Sequence, residues 1–192
     1  MSGHQVVLVR HGQTEWSLSG QHTGTTDMPL TDEGRRHAEA LGDLLTALSL
    51  ARVLTSPLSR AVDTCRLAGF GDDSEGTDDL REWDYGAYEG RRTVYIREER
   101  PGWGVWKDGV PGGETVDQVG LRADLVINAA RSAGGDVALF AHGHVLRILG
   151  ARWIGLPADH GALLALSTAS ISVLGCERET AGIERWNETA AH

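Results

Sequence analysis

Two apolar stretches that end in closely similar residues constrain this chain more than any other feature. Residues 6–9 lead into Arg-His-Gly at positions 10–12, and residues 137–141 lead into His142 and Gly143. Continuous apolar runs without alternation are typical of parallel strands that are covered on both faces. Open α/β sheets bind their ligands at the edge where such strands end. The repetition therefore favours a functional role for both histidines over a purely structural one.

Strand and helix patterns alternate along the chain. The strand patterns cover residues 5–9, 52–55, 136–141, 163–166, 170–175 and 183–186. The helix patterns cover residues 32–48, 58–68, 94–99, 116–130 and 145–153. Such alternation is typical of a mainly parallel sheet with helices on both faces, and the short connections of the tail favour an antiparallel edge. The sequence predicts an α/β fold of three layers, α/β/α, in a single domain over residues 1–192.

Three stretches lack a regular pattern. Residues 10–30 form a long loop, which in a compact domain is more often functional than not, and residues 69–79 are predicted to be a surface loop. Residues 83–115 contain Trp83, Trp103 and Trp106. A loose loop would leave the apolar area of three tryptophans in water, so we expect a packed, lid-like segment beside the site.

The charge of the chain limits its partners. Its formal net charge is −9, whereas nucleic acids and anionic membranes attract basic surfaces. A small anionic partner would therefore need a locally basic site. The two cysteines give no disulfide framework, and no apolar run approaches the ~20 residues of a membrane span. We expect a cytoplasmic protein, for which a homodimer is allowed.

Four blocks of the sequence resemble the signature of one enzyme family. They are Arg10-His11-Gly12 with Thr14 and Trp16, residues 56–64, residues 80–90, and residues 141–144. In this order they resemble the histidine phosphatase superfamily, the phosphoglycerate-mutase-like enzymes, and within it acid or broad-specificity phosphatases and sugar-bisphosphatases. The resemblance implies the phosphoglycerate-mutase-like fold and hydrolysis of small phosphorylated metabolites, without a metal or another cofactor.

The resemblance also implies a catalytic role for five residues. His11 would be the nucleophile that forms a phosphohistidine. Arg10 and Arg60 would hold phosphate oxygens, since a guanidinium fork matches phosphate and stays charged. His142 would donate to an equatorial oxygen, which favours its protonated form near phosphate, and Glu82 would be the general acid and then the general base.

Four further residues correspond to family positions that contact the substrate: Ser17, Thr23, Gly24 and Gly143. Mutases of the family usually carry Asn where this chain has Ser17. That departure favours a phosphatase over the alternative, a phosphoglycerate mutase.

Several alternatives stay open from the residues themselves. Asp84 and Glu89 lie near enough to Glu82 to compete as the proton donor, and only the resemblance prefers Glu82. A metal site has plausible ligand types in His11, Glu82, His142 and His144. A third alternative is a phosphate-binding module without turnover.

Overall fold

The structure is a computed structural model that describes residues 4–45 and 48–189. A six-stranded sheet has the order β3-β2-β4-β1-β5-β6. Its strands are β1 Val6–Arg10, β2 Leu50–Thr55, β3 Ser74–Gly76, β4 Asp136–Ala141, β5 Ser170–Glu177 and β6 Thr180–Thr189. Strands β3, β2, β4 and β1 run parallel, whereas β5 is antiparallel to both β1 and β6. The prediction of a mainly parallel sheet with an antiparallel edge is confirmed.

Helices cover both faces of the sheet. They are α1 Glu15–Ser19, α2 Asp32–Leu45, α3 Ser59–Leu67, α4 Thr93–Glu99, α5 Val105–Asp108, α6 Val116–Arg131 and α7 Gly143–Trp153. Short 3₁₀ helices lie at Asp78–Leu80, Gly86–Tyr88 and Ala158–Leu163. None of the helices described is both long and apolar enough to cross a membrane.

The position of strand β1 between two cores explains why its apolar residues do not alternate with polar ones. Val6 and Leu8 point into the core formed with α6 and α7, whereas Val7 and Val9 point into the core formed with α2 and α3. Because successive side chains of a strand point to opposite faces, both faces need apolar residues. The predicted three layers follow from these two cores.

The strands that matter for the site end side by side. Strand β4 lies between β2 and β1, and Arg10 pairs with Ala141 while Thr55 pairs with Phe140. The residues that follow these three strands therefore meet at the carboxyl edge of the sheet, where parallel sheets place their ligands.

Four predictions of secondary structure need correction. Residues 69–79 were expected to be a loop but include β3, a polar edge strand whose Ser-Glu-Gly sequence has no apolar pattern. Residues 163–166 are not a strand, because Leu163 ends a 3₁₀ helix and is 77% exposed. Helix α1 interrupts the predicted loop 10–30. Helix α2 was predicted to reach residue 48; its described part ends at Leu45, and residues 46–47 lie outside the described residues.

The tryptophan-rich segment is packed rather than loose. Trp83 and Trp103 are buried and Trp106 is partly buried, all in the core shared with α6 and α7. The indole groups of Trp83 and Trp103 donate hydrogen bonds to backbone carbonyls within the same segment. Its behaviour as a lid stays a prediction.

Candidate active site

His11 and His142 meet at the carboxyl edge of the sheet. Their ring centroids are 5.1 Å apart, and both side chains are buried, His11 with 5% exposure and His142 with none. Gly12 is required beside them, because a Cβ there would overlap the carbonyl oxygen of Gly34 on α2. The close approach of the two backbones fixes the turn that follows β1.

His11 is held as a neutral ring with one defined tautomer. Its Nδ1 lies 2.7 Å from the carbonyl oxygen of Gly12. Since a carbonyl only accepts, Nδ1 carries the proton and Nε2 keeps its lone pair. Burial lowers the pKa of His11 well below its usual value, and the charges of Arg60 and Arg10 lower it further. The ring therefore offers an unprotonated Nε2 at neutral pH.

His142 is also a neutral ring, and its protonation beside a bound phosphate stays a prediction. Its Nδ1 accepts a hydrogen bond of 3.0 Å from Arg60 Nε, so the proton lies on Nε2, 2.8 Å from Ser56 Oγ. Burial lowers the pKa of His142 well below the usual value, followed by the charges of Arg60, His11 and Arg10. His142 can still donate a hydrogen bond, from the neutral Nε2–H.

Arg10 presents one edge of its guanidinium group for a ligand. Its Nη1 donates to the carbonyl oxygen of Leu166, whereas the buried Nε has no hydrogen-bond partner among the described residues. A Cβ at Gly143 would lie 3.2 Å from Arg10 Cζ, so the glycine lets the guanidinium lie against the first turn of α7. A buried donor without a partner is rare in proteins and is typical of a binding group.

Arg60 lies deeper than a simple phosphate ligand would. It is fully buried in the first turn of α3. Besides its bond to His142, Nη1 donates to the carbonyl of Thr26 at 2.9 Å, and Nη2 donates to those of Thr23 and Gly24 at 3.3 and 2.9 Å. Four of its five N–H groups are thus used within the protein, which leaves one N–H on Nη1.

Glu82 is gripped by backbone amides. Its Oε1 accepts from the N–H groups of Trp83 and Val145 at 2.9 and 3.0 Å, and its Oε2 accepts from the N–H group of His144 at 2.9 Å. His144 and Val145 belong to the first turn of α7, where free N–H groups favour an acceptor. Oε2 has the less crowded lone pairs and is the atom that can exchange a proton.

The two competing carboxylates have other tasks. Asp84 accepts from the N–H group of Gly86, and Glu89 accepts from those of Gly24 and Thr26 at 2.8 and 3.0 Å. Both carboxylates organise backbone, and neither lines the cavity beside His11. The geometry therefore favours Glu82 as the proton donor.

A cavity of about 210 Å³ lies beside His11, Arg10 and Glu82. Six of the residues singled out from the sequence line it: Arg10, His11, Ser17, Thr23, Glu82 and Gly143. Three do not line it: Gly24, Arg60 and His142. The Ser17 hydroxyl is engaged with the backbone of Thr14 in the capping box of α1, with N···O distances of 2.9 and 3.1 Å across the box.

Six lining residues were not predicted as site residues: Gly20, Gln21, His22, Tyr85, His144 and Arg147. Tyr85 Oη and His144 Nδ1 form a hydrogen bond of 2.6 Å, and Arg147 lies 4.7 Å above the ring of Trp106. The sequence carried a signal for one of them. Arg147 follows Gly143 by four residues within α7, which is about one helical turn.

Metal coordination has no ready cluster here. Within residues 4–45 and 48–189, no three His, Cys, Asp or Glu side chains are grouped so that they could hold a metal ion.

Comparison with known proteins identifies the family. The profile of the histidine phosphatase superfamily (branch 1) matches residues 6–189. An acid phosphatase of Mycobacterium tuberculosis is 46% identical over 178 residues, which cover 91% of this chain and 87% of that protein. A sedoheptulose 1,7-bisphosphatase of Saccharomyces cerevisiae is 39% identical over 183 residues, 78% of this chain and 67% of that protein.

Solved structures agree with this identification. The structure of an open reading frame of Mycobacterium tuberculosis superposes with a TM-score of 0.93 and 43% identity, and covers 98% of this chain and 99% of its own. The resemblance of the four blocks and the phosphoglycerate-mutase-like fold are thereby confirmed. The chain belongs to branch 1 of the histidine phosphatase superfamily and is an enzyme of the histidine phosphatase class.

Proposed function

We propose that this enzyme hydrolyses phosphomonoesters of small metabolites without a metal, through a phosphohistidine on His11. The observation that carries the proposal is the state of His11: a neutral ring with its Nε2 lone pair free, at the wall of a cavity and beside Arg10. Neutral imidazole is a competent nucleophile, and adjacent cations stabilise the phosphoryl oxygens in the transition state.

The first step transfers the phosphoryl group to His11. Arg10 holds phosphate oxygens through Nε and Nη2, and Arg60 adds its remaining N–H. His142 donates from Nε2 after it exchanges Ser56 Oγ for a phosphate oxygen. His11 Nε2 then attacks phosphorus, the bond to the leaving oxygen breaks, and Glu82 Oε2 gives its proton to that oxygen.

The second step returns the enzyme to its initial state. Glu82, now without its proton, takes one from a water molecule that enters in place of the alcohol. The water oxygen attacks phosphorus, and the bond to Nε2 breaks, which restores neutral His11 and releases inorganic phosphate. No metal or oxidant is needed for either step.

The loop residues Ser17, Thr23, Gly24 and Gly143 complete the proposed binding site. Ser17 and Thr23 line the cavity directly, and Gly143 makes room for Arg10. Gly24 acts through its backbone, which lies between the side chains of Arg60 and Glu89. We assign residues 83–115 the role of a lid, because Tyr85 of this segment lines the cavity and packs against Trp83.

A small phosphorylated metabolite in the cytoplasm is the proposed substrate. The cavity is too small for a macromolecule, and Arg10 and Arg147 make it locally basic in a chain of net charge −9. The relatives named above act on phosphate esters, as their names state, and one of them is a sugar bisphosphatase.

Phosphate release from sugar phosphates, phosphoglycerates and nucleotides, with and without a chelator, tests the proposal. We expect turnover that the chelator does not lower and that His11→Ala abolishes. Brief incubation with ³²P-labelled substrate should leave an acid-labile, alkali-stable label on the wild type and none on His11→Ala. Normal labelling of the variant, or loss of activity with the chelator, would refute the mechanism.

A further inference from the structure

Against the backbone of Glu82 lies an arginine whose donors are all used. Arg122 on α6 donates from Nη1 to the carbonyls of Asp79 and Arg81, at 2.9 and 3.0 Å. Its Nε and Nη2 donate to the two carboxylate oxygens of Glu114, both at 2.8 Å. The second N–H of Nη2 reaches the carbonyl of Glu82 at 3.5 Å. The five N–H groups of the guanidinium thus have five acceptors.

Glu114 holds the other end of the same segment. Its Oε2 also accepts from the N–H group of Asp84 at 3.0 Å, and its own N–H donates to the carbonyl of Asp84 at 3.0 Å. Its carbonyl accepts from the indole of Trp83 at 2.8 Å. Burial raises the pKa of Glu114, but the bonds from Arg122 and Asp84 outweigh it, so the pKa lies below its usual value and the carboxylate stays charged.

Together the two side chains fix the backbone on both sides of Glu82. Arg122 donates to two carbonyls that precede Glu82 in the chain and to the carbonyl of Glu82 itself. Glu114 forms hydrogen bonds with the two residues that follow Glu82. The side chains of Arg122 and Glu114 are only 19% and 24% exposed. A bidentate ion pair with this little access to water is rigid and costly to break from one side. The backbone of residues 79–84 therefore has little freedom to move relative to α6.

The position of the backbone at residues 79–84 sets the position of the Glu82 carboxyl group and of the proton that it transfers. The carboxylate of Glu82 points to the first turn of α7, while its backbone is attached to α6. Proton transfer to a leaving oxygen demands a hydrogen-bond distance, and a small displacement costs much of the rate. The ion pair lies outside the cavity, so neither of its side chains contacts the substrate directly, and Glu82 is the lining residue whose backbone Arg122 holds.

We propose that Arg122 and Glu114 are positioning residues that hold Glu82 at proton-transfer distance from the leaving oxygen. The inference rests on the proposed function, in which Glu82 is the general acid. It assigns the pair an effect on one step only, the protonation of the leaving group. Attack by His11 and binding of phosphate by Arg10 do not depend on the pair.

The test compares two substrates that differ in their need for a proton. An aryl phosphate with an acidic phenol as leaving group needs little protonation, whereas an alkyl phosphate needs it fully. For both, kcat/KM reports the steps up to transfer of phosphate to His11. Arg122→Lys keeps the charge and loses the fork. We expect it to lower the alkyl-to-aryl ratio of kcat/KM by about tenfold or more.

Two further variants make the result specific. Glu114→Gln keeps one acceptor oxygen, replaces the other with an NH₂ group that only donates, and removes the charge of the ion pair. We expect it to lower the ratio in the same direction. The control is Arg152→Lys, because Arg152 forms a comparable bidentate pair with Asp124, at 2.9 and 2.8 Å, between α7 and α6. It touches no residue of the segment 79–84 and should leave the ratio unchanged. Far-ultraviolet circular dichroism checks that each variant is folded.

Every outcome decides the proposal. A selective loss for the alkyl ester in Arg122→Lys and Glu114→Gln, without one in Arg152→Lys, supports it. An unchanged ratio, equal losses for the two esters, or the same shift in Arg152→Lys overturns it. Glu82→Gln, measured in parallel, distinguishes a failure of this proposal from a failure of the mechanism. If Glu82→Gln lowers kcat/KM equally for both esters, Glu82 is not the general acid, regardless of the result for Arg122.

Discussion

Acidification should destabilise this enzyme through two buried histidines and a third that is largely buried. His11, His142 and His144 each have a pKa well below the usual value, with burial as the first cause in all three. They are neutral in the folded protein. In the unfolded chain they take up protons near the ordinary pKa of about 6.5.

The sign of the effect follows from proton binding. Below about pH 6.5 the unfolded state binds more protons than the folded state, so the free energy of unfolding falls as the pH falls. The stabilisation is complete above the unfolded pKa and is lost progressively toward the lowered folded pKa. At pH 5.5 each ring that stays neutral in the folded protein lowers the free energy of unfolding by about 1.4 kcal/mol, and three rings lower it by about 4 kcal/mol as an upper limit. Most domains have only about 5–15 kcal/mol in total.

Urea unfolding at pH 7.5 and pH 5.5 measures this loss directly. The window lies above the ordinary pKa of carboxyl groups, about 4. We expect His144→Gln to remove about 1.4 kcal/mol of the pH-dependent loss. Phe140→Leu is the control, because Phe140 is buried and carries no proton. It should lower the free energy of unfolding by the same amount at both pH values.

One comparison would refute the reasoning. If His144→Gln and the wild type lose the same free energy between pH 7.5 and pH 5.5, the ring of His144 does not differ in protonation between the two states. A wild-type loss below about 1 kcal/mol would contradict all three assignments together.

Two further predictions concern activity. Arg60→Lys should lower kcat/KM by about 10³-fold, by analogy with arginine fingers, because an ammonium group cannot donate to the three loop carbonyls and to His142 in the fixed geometry of a guanidinium fork. Arg52→Lys, at an exposed pair with Glu75, is the control. A fully active Arg60→Lys would show that the fork is not needed. Phosphorus NMR of phosphoglycerate, with and without bisphosphoglycerate, should show phosphate release and little isomerisation, because a mutase must keep its phosphohistidine dry and Ser17 stands where mutases usually carry Asn; isomerisation faster than release would establish the mutase instead.

Strands β1 and β4 could be predicted from the sequence because both of their faces are covered. Burial on two faces leaves a continuous apolar run, and β4 was predicted with the bounds that the structure has, Asp136–Ala141. Strand β3 could not be predicted. It is a three-residue edge strand of polar residues whose existence depends on its pairing with β2.

The site was predictable where a residue type and a strand end coincide, as for His11 and His142. It was not predictable where a residue acts through the backbone of a distant segment. Nothing in the sequence around Arg122 and Glu114 indicates that the carbonyls of Asp79, Arg81 and Glu82 accept hydrogen bonds from Arg122. The tautomer of His142 was not predictable for the same reason, because it depends on which atom Arg60 donates to.

The place of β1 in the sheet has a consequence for how the chain folds. Both of its neighbours come much later in the sequence: Val6 pairs with Val137 of β4 on one side and with Leu174 of β5 on the other. During synthesis the strand that carries the Arg-His-Gly sequence therefore waits, apolar and unpaired, until more than a hundred further residues have been made. The segment made early is thus among the last to reach its final neighbours, and exposed apolar strands of this kind are where chaperones act and aggregation begins.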